Sequence, residues 1–208
     1  MKLVFRGCKF TYFLMYVFAL PLTLEMDTVL SLWLENPPDF AVIFTSLALV
    51  DAVIDSISYP LMALAQATGK IRFYQSVVGG ILMLNFPFSW IALKFGAPAY
   101  FVMVVAIMIT FVAAVVRLFI IRKLTQFSIQ QFLTKSALPC ISVSVLSAIL
   151  PLIIVFNLEE NFLRLCITTC VSVISMGVCV MFIGMTMVER EMVYVKVKEK
   201  LPFLKNED

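Results

Sequence analysis

Long apolar runs separated by short polar segments dominate this chain of 208 residues. A helix needs about 20 mainly apolar residues to cross the roughly 30 Å hydrocarbon core of a bilayer. Six runs fit such a helix, and the first is continued by an amphipathic stretch that we expect at the outer interface. We therefore predict an all-α membrane protein, a bundle of six transmembrane helices over residues 10–24, 40–67, 73–93, 98–121, 137–155 and 162–188.

The basic residues are distributed unevenly between the polar segments. Fourteen of the sixteen Lys and Arg residues fall in four segments, which alternate with three segments that hold only Lys94 and Arg164. Under the positive-inside bias the four basic segments lie in the cytoplasm. An even number of spans also returns both termini to one side. We therefore predict a six-span unit over residues 1–188, with both termini cytoplasmic and residues 189–208 as a charged cytoplasmic tail.

Composition supports the same class and excludes others. Hydrophobic residues make up 62% of the chain and charged residues 14%, whereas soluble proteins average about half apolar and a quarter charged. The basic residues form short clusters beside apolar runs rather than a stripe, so we predict no nucleic-acid partner. The chain has no His and no Gly-rich phosphate loop, and we identify no catalytic residues and no enzyme.

The five Cys residues lie within or beside apolar runs, and none forms a CxxC pair with a His companion. Cys in such positions behaves as a small apolar residue. We therefore predict neither a metal site nor a disulfide framework.

The second predicted span carries a polar face. Asp51 and Asp55 are four residues apart, and Tyr59 and Gln66 continue the same face at helical spacing. A mid-membrane Asp costs about 2.5–3.5 kcal/mol, so this helix is not expected to face lipid on all sides. One interpretation is that the two carboxylates line a water-filled cavity and bind a coupling proton or Na+, or shape a substrate path. The alternative is that they pair with groups on neighbouring helices.

Asn85 and Arg117 complete the candidates for a transport path. Asn85 lies close to Pro87, which cannot donate a backbone hydrogen bond, so we predict a kink. Kinked helices occur in transporters that rock between two open states. The alternative is that the kink only allows the helix to pack against its neighbours. Arg117 lies one turn inside the end of the fourth span; snorkelling to the interface is the simpler interpretation, and holding an anionic substrate is the other.

Between the fourth and fifth predicted spans, residues 122–136 alternate polar and apolar side chains. Amphipathic segments beside a membrane commonly lie in the interface plane. We therefore predict a helix on the inner membrane surface here.

Several segments resemble the bacterial O-antigen and capsule flippases, the Wzx-like polysaccharide exporters of the multidrug/oligosaccharidyl-lipid/polysaccharide exporter superfamily. They are LWLxxP at Leu32–Pro37, IDS at Ile54–Ser56, QATGKI at Gln66–Ile71, LNFPFSW at Leu84–Trp90 and IRKL at Ile121–Leu124. The similarity extends over nearly the whole chain and corresponds to the C-terminal bundle of a two-bundle exporter.

The resemblance implies a bacterial inner-membrane protein that moves an undecaprenyl-pyrophosphate-linked oligosaccharide across the bilayer by alternating access, without a cofactor. Its partners would be membrane lipid, the lipid-linked oligosaccharide, and a missing N-terminal half or a second copy. Two alternatives stay open. One is a non-transporting membrane scaffold of polysaccharide assembly, and the other is a dimeric exporter of small solutes.

Overall fold

A computed structural model describes residues 1–34 and 36–191 of the chain. The described part of the chain is 84% helical and contains no strand. This is an all-α membrane protein, as predicted. Most of the predicted cytoplasmic tail, residues 192–208, lies outside the described residues.

Between residues 2 and 184 the described residues form ten α-helices, and two of them run on into a π-helical turn. The helices are α1 (Lys2–Leu24), α2 (Met26–Trp33), α3 (Ala41–Ser56), α4 (Tyr59–Ala67), α5 (Ile71–Met83), α6 (Asn85–Lys94), α7 (Phe101–Leu124), α8 (Ile129–Phe132), α9 (Leu138–Asn157) and α10 (Phe162–Cys179). The π-helical turns are Leu133–Ala137, between α8 and α9, and Val180–Gly184, after α10.

Within residues 1–34 and 36–191, six helical stretches are long and apolar enough to cross a membrane, in agreement with the six predicted spans. They are Leu3–Leu24, Ala41–Ala67, Ile71–Lys94, Phe101–Leu124, Ile129–Asn157 and Phe162–Gly184, and we call them spans one to six. Span one begins earlier than predicted, because the basic residues Arg6 and Lys9 lie inside its helix and form ion pairs. The chain is therefore a multi-pass membrane protein.

Spans two and three are each interrupted near a proline. Pro60 and Pro87 have no N–H to donate to the carbonyl one turn earlier, so the regular helical ladder cannot continue through them. The chain instead makes tighter three-residue bonds, from Ser58 N–H to the Asp55 carbonyl (2.8 Å) and from Leu84 N–H to the Ile81 carbonyl (3.0 Å). The second break coincides with the interruption predicted from Pro87.

Helix α1 occupies the middle of the bundle and contacts spans two, five and six, whereas α7 packs against spans two and three. Two apolar cores result. One joins spans one to four around Leu61, Tyr74 and Ile121, and the other joins spans one, five and six around Phe13 and Val143. Span two contacts both α1 and α7. Polar side chains of span two can therefore meet polar side chains of either of these helices.

The prediction of a surface helix over residues 122–136 differs from the structure. Helix α7 continues to Leu124, and helical structure that begins at Ile129 runs without a break into span five. Phe127 and Phe132 are buried against Phe5, with ring centroids 5.3 Å apart for Phe5 and Phe127. Phe127 and Phe132 thus pack into the bundle core, and the segment does not form a separate amphipathic helix.

Candidate functional site

An ion pair between spans two and four forms the centre of the polar face predicted on span two. Nη1 of Arg117 on α7 lies 2.5 Å from Oδ1 of Asp55 on α3. The Arg117 side chain is 10% exposed, and that of Asp55 is 31% exposed. Because the pair lies well inside two apolar spans, each charge reduces the cost of burying the other.

The structure contradicts the snorkelling interpretation of Arg117. A snorkelling side chain would extend to the interface with its charge in water. The guanidinium is instead buried and pairs with a carboxylate on a neighbouring helix. The direct packing of α3 against α7 brings the two groups together. For Asp55, the alternative that the carboxylate pairs with a neighbouring helix is the one observed.

Around this pair, several buried polar atoms have no hydrogen-bond partner among the described residues. They are Oδ1 of Asp51, Oγ of Ser58 and Nε of Arg117. Asp51, Asp55 and Ser58 follow one another at helical spacing along span two, so they share a face. Buried polar atoms of a folded protein usually have a partner in the protein or in ordered water. Among the described residues, the site therefore keeps an unused acceptor on Asp51 and an unused donor on Arg117. A proton or a cation could bind the acceptor, and water could bind either group.

The other two predicted site residues of span two, Tyr59 and Gln66, lie on the outside of the bundle. Tyr59 is 57% exposed and Gln66 is also exposed, as is Met62 between them. Neither Tyr59 nor Gln66 makes a side-chain hydrogen bond within the described residues. The polar face thus has a partly buried region at Asp51 and Asp55, and an exposed region that extends toward the end of the span.

Asn85 is not brought into the ion-pair site. Its Oδ1 accepts a hydrogen bond from Oγ of Ser89, 3.1 Å away on the same helix. The residue lies just after the helix break at Leu84, where it belongs to the interruption of span three. In the structure its side-chain oxygen is satisfied locally within α6.

A second buried ion pair, which the sequence analysis did not identify, joins spans one and six. Glu25 is fully buried between α1 and α2, and its Oε2 accepts hydrogen bonds from Nη2 (3.0 Å) and Nε (3.2 Å) of Arg164. Its Oε1 accepts a hydrogen bond from Oγ1 of Thr168 (2.9 Å). Both carboxylate oxygens are thus satisfied. The signal available in the sequence was that Arg164 is one of only two basic residues on the predicted outer side.

A third charged cluster lies at the opposite end of span one. Nζ of Lys9 is 2.7 Å from Oε2 of Glu189 and donates to the Gly184 carbonyl at 2.8 Å. Nε of Arg6 is 3.0 Å from Oε1 of the same carboxylate. Glu189, the first residue of the predicted charged cytoplasmic tail, is therefore buried against the bundle.

Two effects act in opposite directions on the pKa of Glu189. Burial alone would raise the pKa, because it penalises the charged carboxylate. The hydrogen bonds from Lys9 and from the Thr186 N–H favour the charged form and outweigh burial, so the pKa lies below its ordinary value of 4.5. Glu189 is thus ionised at neutral pH.

In the part of the chain that the structure describes, no group of three or more His, Cys, Asp and Glu residues could hold a metal ion.

A scan against protein-family models, a search of curated proteins and a search of solved structures find no match to this chain.

Proposed function

We propose that this chain is a transport module that moves an undecaprenyl-pyrophosphate-linked oligosaccharide across the bacterial inner membrane for surface polysaccharide synthesis. The observation that carries the proposal is the Asp51, Asp55 and Arg117 site inside an otherwise apolar bundle. Ionisable groups at this depth are costly, and they commonly mark the path of a substrate or a coupling ion. The flippase-like segments supply the class of substrate.

The site is suited to change its pairing during a transport cycle. Arg117 uses Nη1 on Asp55, and among the described residues its buried Nε and Oδ1 of Asp51, one turn away from Asp55 on α3, have no partner. In the cycle we propose, a proton or Na+ binds to either Asp51 or Asp55 and neutralises it. The guanidinium of Arg117 then pairs with the carboxylate that stays charged. Such a two-state arrangement would couple ion binding to movement of span two against span four.

The exposed half of the polar face points to a second bundle. Tyr59 and Gln66 place polar atoms on the surface of a span that otherwise faces hydrocarbon. Polar side chains in membrane helices generally face protein or a water-filled cavity. We propose that this surface faces the other half of a two-bundle exporter or a second copy of the chain, with the substrate path between them.

Depletion of the chain tests the substrate class. In cells from which it is removed, a flippase role predicts that lipid-linked oligosaccharide accumulates in the cytoplasmic leaflet and that surface polysaccharide falls. Expression of the wild-type chain should restore both. Unchanged amounts and leaflet distribution of the lipid-linked intermediate would eliminate the flippase role and leave the small-solute exporter.

A scaffold without transport activity is the second candidate. It is favoured by the ion pair of Asp55 with Arg117, because a satisfied pair can serve to join two helices and perform no other chemistry. A scaffold tolerates the double substitution Asp55→Leu with Arg117→Met, which removes both charges together, and surface polysaccharide stays normal. A transporter loses it while the bundle stays folded, as judged by the amount of protein recovered in the membrane.

A further inference from the structure

An open cavity of about 410 Å³ lies where spans one, five and six meet at the basic end of the bundle. Arg6 and Lys9 come from span one, Lys135 from the start of span five, and Glu189 from the residues after span six. Three cations and one carboxylate line this cavity, so positive charge is in excess. No residue of span two lines it, and the site is therefore separate from the Asp51 and Asp55 site.

The single carboxylate of the cavity is already occupied by protein donors. Oε2 of Glu189 accepts from Nζ of Lys9 (2.7 Å) and from the Thr186 N–H (2.8 Å), and Oε1 pairs with Nε of Arg6 (3.0 Å). Glu189 thus holds Arg6 and Lys9 in place. Because its charge is already paired with these two cations, it repels an approaching anion only weakly.

The three cations keep donors that the described residues do not use. Nζ of Lys9, which is buried at the cavity wall, makes two hydrogen bonds of the three that an ammonium can donate. The terminal guanidinium nitrogens of Arg6 have no partner in the described part of the chain. Lys135 is exposed and has no carboxylate within ion-pairing distance there. The three residues that carry these N–H groups therefore border one small volume.

The rest of the lining is apolar, and it determines the kind of anion that fits. Phe5, Pro139, Ile183, Met185 and Val188 border the same cavity. Under the positive-inside bias this end of the bundle meets the cytoplasmic leaflet, whose surface carries anionic lipids. A lipid phosphate combines an anion with adjoining apolar groups, and clefts of this type between membrane helices are suited to it.

We propose that this cavity binds the phosphate headgroup of an anionic membrane lipid, with Arg6, Lys9 and Lys135 as the donors and Glu189 as the residue that positions Arg6 and Lys9. The bound phosphate would join the N-terminal end of span one to spans five and six. The proposal does not depend on the proposed transport role. The cavity residues lie on spans one and five and after span six, whereas the proposed transport site lies on spans two and four.

The test measures lipid binding to the purified full chain in detergent. Phosphatidylglycerol is titrated and bound lipid is counted by native mass spectrometry, with phosphatidylcholine and inorganic phosphate as parallel titrants. The variant Lys135→Gln touches no ion pair and should bind phosphatidylglycerol about fivefold more weakly, which corresponds to about 1 kcal/mol for one basic residue. Adding Arg6→Gln should weaken binding by about the same factor again.

The double variant Arg72→Gln with Lys123→Gln is the matched control. It removes two exposed basic residues from the same end of the bundle and leaves the cavity intact, so phosphatidylglycerol binding should stay at the wild-type level. Competition by inorganic phosphate with equal affinity would support a phosphate site that takes the free ion rather than a lipid. Equal loss in the control variant, or equal binding of phosphatidylcholine, would overturn the proposal.

Discussion

Arg117 and Asp55 are 62 residues apart in the chain, yet Nη1 of the first lies 2.5 Å from Oδ1 of the second. Two apolar spans are thus joined by one charged contact. This contact makes each group depend on the other, because a single charge left inside the bundle has no water to replace its partner.

Removing one partner of this pair should therefore cost more than removing both. We expect Arg117→Gln to lower the free energy of unfolding by about 3 kcal/mol, the low end of the range for a buried pair, since Asp55 is partly exposed. Adding Asp55→Asn should recover part of the loss. A double-mutant cycle in mixed micelles titrated with a denaturing detergent measures the coupling, which should be about 1–3 kcal/mol.

The matched control for Arg117 is Arg122, an exposed residue on the same helix. Arg122→Gln should change the free energy of unfolding by no more than about 0.5 kcal/mol. A coupling energy near zero for the Asp55 and Arg117 cycle would show that the two charges are independent.

The buried carboxylate of Glu25 should be more important to stability than any acid on the bundle surface. Glu25→Gln keeps the shape of the side chain but leaves the buried charge of Arg164 without its partner, so the free energy of unfolding should fall by about 3–5 kcal/mol. Glu160 also lies near Arg164, at 3.6 Å, but is 70% exposed. Glu160→Gln should cost at most about 1 kcal/mol, and equal losses for the two variants would contradict the ranking.

The lowered pKa of Glu189 predicts a specific dependence on acid. Its ion pairs stabilise the folded chain fully above the ordinary carboxyl pKa of 4.5, and this contribution is lost as the pH falls through the lowered value in the folded state. We therefore expect thermal stability to fall below about pH 4.5. Glu189→Gln should be less stable at pH 7 and should lose less on acidification; an unchanged slope in the variant would assign the acid sensitivity to other groups.

Gly184 permits a close approach between the end of span six and span one. A Cβ built at this residue would lie 2.8 Å from Cζ of Phe13, which is buried, and 3.4 Å from Cγ2 of Val143. Gly184→Ala should therefore lower the free energy of unfolding by about 1–3 kcal/mol through overpacking.

Gly177 on α10 is the matched control, because a Cβ built at this residue has no atom within 4 Å. Gly177→Ala should be neutral or stabilising by up to about 1 kcal/mol, because alanine has the higher helix propensity. Similar losses in both variants would exclude crowding at Phe13 as the cause.

The spans could be predicted from the sequence because hydropathy is a local property that each helix displays within its own residues. The six apolar runs therefore correspond to six helical spans, and the interruption near Pro87 was visible in the missing N–H of a single residue. The ends of the spans were less predictable. Arg6 and Lys9 suggested an aqueous segment, but both lie inside the first helix and pair with one carboxylate far along the chain.

The charged pairs could not be predicted, because pairing depends on which helices become neighbours. Glu25 and Arg164 are 139 residues apart, and Lys9 and Glu189 are 180 apart. Seen along the sequence, Arg117 is a cation near the end of a span, and snorkelling is then the simplest expectation. Only the packing of α7 against α3 places Asp55 within its reach.

The most direct test of the account is transport by the Asp51→Asn variant. Asp51 has an unpartnered carboxylate oxygen within the described structure and is not part of an ion pair there, so its loss should leave the bundle folded. Asp39→Asn, at an exposed acid outside the spans, is the control at matched protein abundance. The measurement is the amount of lipid-linked oligosaccharide that an oligosaccharide-binding lectin detects on the outer leaflet of intact spheroplasts, as a function of external pH. We predict that Asp51→Asn lowers this amount and changes its pH dependence, whereas Asp39→Asn matches the wild type. A wild-type amount and pH profile in Asp51→Asn would contradict the transport role of the buried site.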